Sequence, residues 1–546
     1  MKKGALPNPS VIPPKKDEET PETADATGKG KKKKKKDDKE YEPSVAEKVL
    51  IRPFLLLRNA RFNYTENFNS YVPGYLPQSR QFGMSDFSKP GWDYVLGYRQ
   101  SDDNWLEDAG SRAWISRDIR QVRPTLNNYS QQIDARLTVE PFQDFRVDID
   151  LTKNYTRNQS QEFRDTTEFG TGGLKHTNRF EDGSYTVSYF TLNTMFTNIS
   201  TVFNQFLDNR AAASQALNPN GLPHPEAAGY KIGFGPTSND VLIPAFIAAY
   251  TGRDINKTVN GGKFNLFKEA PSVNWRLSYN GLAKLPGLRN VFQNISITHG
   301  YKSTLTTNSY RSSPFYNPND PQKTRVENKY DYYPQYDIPA VVISEQFSPL
   351  LGIDASLKTG ATFGIQYRKS RNLALSISDS RMQESKVSEI QLKFGHRLKN
   401  IYIAFLDFDI EKKIMSKEKA KRLKEEEKKK KAEEKEKAIT DKANADPNAP
   451  KKKREPKPKK GNDLVLNFDL SFRDDQTENH LFGAGAGDIP SRGSQTLRVS
   501  PSATYTVNKL LDLRFFIDYN RTIPYTSASF KSITTTGGFV ITYKLQ

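Results

Sequence analysis

Five histidines are the first residues to test for chemistry, and His176, His224, His299, His396 and His480 are scattered with no second histidine or carboxylate at metal-ligand spacing. Nucleophile elbows of the G-x-S-x-G type, phosphate loops and the H-E-x-x-H zinc signature do not occur. The chain has no cysteine, so disulfides, thiolate zinc sites and thiol catalysis drop out together. What remains is a set of carboxylates beside arginines at alternating positions, as in Asp134 and Arg136 or Arg146, Asp148 and Asp150. Opposite charges at that density face water as structural networks. No catalytic residue, cofactor or metal is expected, and the chain does not read as an enzyme.

The second candidate chemistry is polyanion binding, suggested by a net charge of +19. Residues 1–48 hold 13 Lys or Arg against 10 acidic groups and residues 411–461 hold 21 against 11, contributing +3 and +10. The lysine runs, Lys31 to Lys36 and that around Lys428 to Lys431, lie in low-complexity sequence without interleaved aromatics on which bases could stack. They read as solvated segments without fixed structure, with Glu/Lys pairs that favour a charged helix over residues 412–437. No nucleic-acid partner is expected.

The elements that would position any function are strands. From residue 462 onward, apolar side chains take every second position in four successive segments: Leu464, Leu466, Phe468, Leu470 and Phe472; Leu497, Val499, Ala503, Tyr505 and Val507; Leu511, Leu513, Phe515, Ile517 and Tyr519; Ile533, Phe539, Ile541, Tyr543 and Leu545. Asp469, Arg473, Arg498, Arg514, Asp518 and Lys544 take the other parity. A strict period of two means a sheet with one apolar and one polar face. Segments two and three are joined by a few residues around Asn508, whereas the flanking connections are long and polar. Short turns at one end, long loops at the other, and segments near the roughly 9–11 residues needed to cross a bilayer mark a transmembrane antiparallel β-barrel. The apolar set then faces lipid and the polar set the lumen. These residues leave a soluble cell-surface β-sheet protein and an autonomous outer-membrane porin or nutrient transporter open as alternatives.

Upstream, residues 49–410 carry further strands with large loops. A hairpin runs through Ile133, Ala135, Leu137 and Val139, turns at residues 140–144, and returns through Phe145, Val147, Ile149 and Leu151; a second joins Val273, Trp275, Leu277 and Tyr279 to Ile295, Ile297 and Tyr301. Residues 69–128 are rich in Gly, Pro and aromatics and read as a large ordered loop with one helix near 105–117. Its tryptophans, Trp92, Trp105 and Trp114, must be buried somewhere, which makes the loop a candidate plug, lumen lining or cargo contact. Residues 200–217 read as helical, ending at an Asn-Pro-Asn-Gly turn. About a dozen to fourteen strands are expected. No apolar run is long enough for a membrane helix, and Met1 is followed by two lysines without an apolar stretch, so no secretory signal opens the chain. The expectation is a downstream piece of a longer precursor.

Six motifs resemble one family in order: PGYLPQSRQFG at 73–83 followed by a PGW segment, AWISRD at 113–118, VEPFQDFRVDI at 139–149, FSPLLGID at 347–354, YRKSRNLALS at 367–376 and RTIPYTSASF at 521–530. They are similar to the C-terminal part of the Sov/SprA family, the outer-membrane translocon of type IX secretion and gliding motility in Bacteroidota. The resemblance implies the last section of a very large barrel through which folded proteins with C-terminal sorting domains leave a Gram-negative cell. It implies as partners outer-membrane lipid, secreted cargo proteins and other secretion-system subunits, including gating or plug proteins. If the chain ends in the periplasm, the turn at Asn508 is periplasmic and the tract at 411–461 enters from that side.

Overall fold

The computed structural model describes residues 56–96, 102–167, 172–197, 199–327, 329–401, 403, 462–482, 488–507, 510–526 and 529–544. Both lysine-rich tracts, and Leu545, lie outside these residues. Fourteen strands form one antiparallel sheet: β1 (Leu57–Tyr71), β2 (Thr125–Phe142), β3 (Phe145–Asp165), β4 (Leu174–Ser188), β5 (Asn274–Tyr279), β6 (Phe292–Ser312), β7 (Tyr336–Asp337), β8 (Ala340–Leu357), β9 (Ala361–Ser376), β10 (Arg381–Ile401), β11 (Asn462–Leu481), β12 (Asp488–Thr506), β13 (Leu511–Pro524) and β14 (Ser532–Tyr543). The main path runs β1-β2-β3-β4-β6-β8-β9-β10-β11-β12-β13-β14, so β1 and β14 are its two edges. No helix among the described residues is long and apolar enough to cross a membrane.

Connections divide by end. At one end β2 turns directly into β3 and β8 into β9, and β12 returns as β13 through Val507 and Leu510, where Val507 N–H donates to Leu511 O at 2.9 Å. β10 ends and β11 begins at that same end. The opposite end carries longer connections, including residues 72–124 and 313–339, although β9 turns tightly into β10 there through residues 377–380.

The column between β3 and β6 is built from two strands. β4 fills the part toward the long-loop end and β5 the part toward the short-turn end, both antiparallel to β3 and to β6. Between them the chain leaves the sheet at residue 189 and returns at 273, and Ser272 N–H donates to Ser188 O at 2.8 Å across the gap. The excursion contains α2 (Ile199–Leu217) and α3 (Asn239–Thr251).

In α3, every residue from Val241 to Thr251 is buried. An apolar helix with no wet face belongs inside a core, and here it seats on Val187, Leu305, Ile343, Leu373 and Leu375 of the sheet. Gly252 ends it in the left-handed region (φ 69°), which a side chain would resist, and Arg253 N–H caps Ala248 O at 3.0 Å. Beneath the helices Tyr189 donates to Glu269 Oε2 at 3.0 Å and Tyr185 to Glu269 O at 2.8 Å. Burial first, and the Glu269 carboxylate second, push the Tyr189 phenol upward, so it remains a donor.

Residues 69–128 form less loop than the composition suggests, because β1 extends to Tyr71 and β2 begins at Thr125. The helix there, α1 (Asp102–Ser111), starts earlier than the expected 105–117. Leu106, Ala109, Trp114 and Ile115 close over Phe163 of β3.

One charge cluster ties the helical excursion to the sheet. Arg371, on β9, is fully buried and donates to Glu345 Oε2 of β8 through Nε (2.8 Å) and Nη2 (2.5 Å). Its other contacts are Thr194 O (2.8 Å) and Thr194 Oγ1 (2.9 Å) on the excursion. Tyr301 completes the set by donating to Glu345 Oε1 at 2.8 Å. Removing one partner strands a buried charge, so Arg371→Ala should cost about 3–5 kcal/mol. The double change Arg371→Met with Glu345→Met should recover most of that loss in a denaturation series on the detergent-solubilised protein. Equal destabilisation by the single and double variants would show that the charges are not coupled.

Candidate functional site

Which face each strand residue occupies follows from register. The ladders β9–β10 and β10–β11 run unbroken from Ala361 to Ser376 and from Arg381 to Leu398, so parity is conserved along their length. Following hydrogen-bonded neighbours across the sheet, one row reads Phe142, Phe145, Tyr279, Ile297, Ile353, Ile365, Leu392, Leu470, Val499, Tyr519. The adjacent row, on the opposite face, reads Arg146, Ser278, Thr298, Gly352, Gln366, Gln391, Ser471, Arg498, Asn520, Thr534. One face is apolar and the other polar across the width of the sheet.

The apolar face is bare toward the short-turn end. Leu466, Phe468, Phe515, Ile517, Phe539, Ile541 and Tyr543 are exposed, Phe539 at 59% and Ile541 at 62%; Leu470, Leu497 and Val499 are half-buried beside them. Leu464 and Leu513 join Tyr505, Val507, Leu511 and Ile403 in a small cluster at the strand ends. Exposed Phe363, Ile365, Ile390, Leu392 and Phe394 continue the band through β9 and β10, and Phe62 and Tyr64 carry it to β1. A contiguous apolar surface of this breadth marks contact with lipid or with another protein.

The band crosses the hydrogen-bond rows obliquely. The row through Ala60, Leu137, Ile149, Trp275, Tyr301 and Phe347 is apolar, but it turns polar at Lys369, Ser388, Asp474 and Gln495. On the β14 side the apolar residues lie in lower rows, such as Leu466, Ala503, Phe515 and Phe539. At roughly 3.4 Å per residue and about 4.8 Å per strand, this offset makes the strands lean on the order of 35° from the normal to the band, close to the tilt of barrel strands.

On the polar face, Asp469, Arg498, Arg514 and Asp518 line one concavity of about 530 Å³ together with Glu389, Gln391, Lys393 and Ser471. Arg498 Nη2 lies 3.3 Å from Asp518 Oδ1, and Arg514 lies over the Phe516 ring at 5.7 Å. Phe516 fits there because it faces Gly538, where a Cβ would meet the ring at 2.6 Å. Arg473 pairs with Asp475 at 3.0 Å and Lys544 with Asp512 at 3.0 Å. These are exposed networks, and no group of three or more His, Cys, Asp or Glu that could hold a metal ion occurs among the described residues.

The tryptophans lie elsewhere. Trp114 is buried against Phe163, and Trp105 packs on Tyr94 with ring centroids 4.3 Å apart. Trp92 is partly exposed and stacks on Phe87. Phe163 shares parity with Leu151 and Ile149, so this cluster sits on the face that bears the apolar band, beyond its long-loop margin, and the three tryptophans do not join the polar concavity. The same holds for α2 and α3, which cover Leu373 and Leu375 in line with exposed Phe363 and Ile365 on β9. Sequence alternation gave no hint that one face serves two environments. The motif search missed the buried cluster at Arg371 because its members are distant in sequence.

A search of protein-family models and a search of curated proteins found no match to the chain.

If the exposed band contacts hydrocarbon, Phe468→Arg or Phe515→Arg should cost about 2–4 kcal/mol near the midplane and hinder membrane insertion, whereas Ser471→Arg on the opposite face should insert normally. Heat-modifiable mobility and flotation with membranes read both; equal insertion of all three variants would remove the lipid-facing assignment.

Proposed function

We propose that the chain forms a section of the wall of an outer-membrane protein-conducting channel, exporting folded proteins with C-terminal sorting domains by type IX secretion. The observation that carries the membrane part is the pair of adjacent rows, apolar from Phe142 to Tyr519 and polar from Arg146 to Thr534. Such a wall seals against lipid on one side and wets a passage on the other without any reacting group. The channel part rests on the six motifs shared in order with the Sov/SprA family. β1 and β14 stand at the two ends of the sheet path, which supports a section of a larger wall over a self-contained porin or nutrient transporter.

In this reading the short-turn end is periplasmic, the long loops and helices face the cell exterior, and the tract at 411–461 enters from the periplasm. Cargo passes the polar face; gating and plug subunits act on the same passage. The tryptophan-bearing loop is a cap beside the wall on its lipid-facing side.

The absence of cysteine provides a clean test. A single Ser500→Cys should react with a membrane-impermeant maleimide in opened envelopes, while Ile365→Cys should react only with a lipophilic reagent. Labelling at Ser500→Cys should slow when export is jammed with a cargo fusion. Equal reactivity at both positions would remove the membrane assignment; indifference to jammed cargo would leave a membrane wall without a protein-conducting role.

A further inference from the structure

The margin where the bare band meets the helical excursion holds a half-buried cation, Lys369, without an ion-pair partner among the described residues. Three basic side chains follow one another on the apolar-band face of β9 and β10: Lys369, Arg371 and Lys386. Two carboxylates face them, Glu345 and Glu384, both essentially inaccessible. Arg371 is committed to Glu345 at 2.5 Å, and Lys386 to Glu384 at 3.1 Å. Lys369 has no ion pair with any described residue; its ammonium sits 4.4 Å over the ring of Phe196, which is 59% exposed.

Lys369 is half-buried, at the edge nearest the band. Toward the short-turn end the same face continues as Tyr367 and exposed Ile365, paired to exposed Ile390 and Leu392. Beside Lys369 in its own hydrogen-bond row, buried Phe347 and Tyr301 close the site on the β8 and β6 side. A half-desolvated ammonium above an apolar track is matched by a molecule with an anionic head and hydrocarbon tails.

We propose that Lys369 and Phe196 form a binding site for the phosphate head of a membrane lipid, whose acyl chains lie along Tyr367, Ile390, Ile365 and Leu392. This inference rests on the lipid-facing reading of the band. The lipid supplies the missing negative charge and is held under the helical excursion, so it differs from the freely exchanging lipids around the rest of the wall.

The full chain, solubilised in detergent, can be examined by native mass spectrometry with added phosphatidylglycerol or phosphatidylcholine. The wild type should retain phosphatidylglycerol about fivefold more than phosphatidylcholine, the effect of one basic residue at a membrane surface. Lys369→Gln should lose that preference. Lys302→Gln, an exposed lysine of the polar face, should keep it. Excess inorganic phosphate should not displace the lipid; full displacement would mean an anion site without lipid recognition and would overturn the proposal. Equal retention of both lipids, or an unchanged preference in Lys369→Gln, would also overturn it while leaving the band reading intact. Retention of no lipid by a chain monodisperse without detergent would instead remove the band reading itself.

Discussion

Backbone pairing is the constraint on which the remaining structure depends. Along β9, β10 and β11 the ladder runs without a bulge through the band and past it, so a side chain there cannot choose its face independently of its neighbours. Every apolar residue at one parity must therefore find an apolar environment on the same side of the sheet. Two settings meet the apolar parity here: an exposed apolar surface near the short turns and packed helices further along. The change from one to the other takes place on a single surface.

The charge cluster at Arg371 occupies that transition. Side chains there lie beyond the exposed band and are buried against the sheet, so polar groups survive only by satisfying one another. Arg371 reaches Glu345 and both oxygens of Thr194, which fixes the excursion to the strands at the level where its apolar packing begins. The hydrophobic cluster of Tyr301, Phe347 and Met195 thickens the same margin. Strand rows that change from apolar to charged across the sheet, as at Phe347 and Lys369, are the signature of tilt, since a flat band cut across leaning strands meets each at a different residue.

Much of this was legible in the sequence, for a physical reason. Alternation such as Leu464, Leu466, Phe468 against Asp469 reports directly which face a residue takes, and the antiparallel sheet has the faces that alternation predicts. The helix α2 was legible too, because one of its faces is polar. By contrast, α3 carries no periodic signal: it is apolar all round, and Pro244 lies within it. The division of one column into β4 and β5 was invisible because the two pieces lie far apart in the chain and only their shared neighbours reveal that they are collinear. Trp105 and Trp114 announced burial through their type, but a tryptophan does not say which side of a sheet will cover it.

That divided column has a consequence for assembly. A hairpin strand can zip from its turn, as β5 can onto β6, but the β5–β6 pair can meet β3 only after the intervening chain has been gathered so that residue 272 returns to residue 188. Closing so long a loop is slow and unrewarded until its own core forms. The β3–β5 pairing that completes the sheet at its middle therefore waits on the excursion, and until the excursion condenses β3 lacks its neighbour toward the short-turn end. The helical unit, in this sense, sets the order of events: it is the last stitch of the wall as well as its ornament on one side, and a chain whose helices fail to collapse would leave a seam where none of the individual strands is at fault.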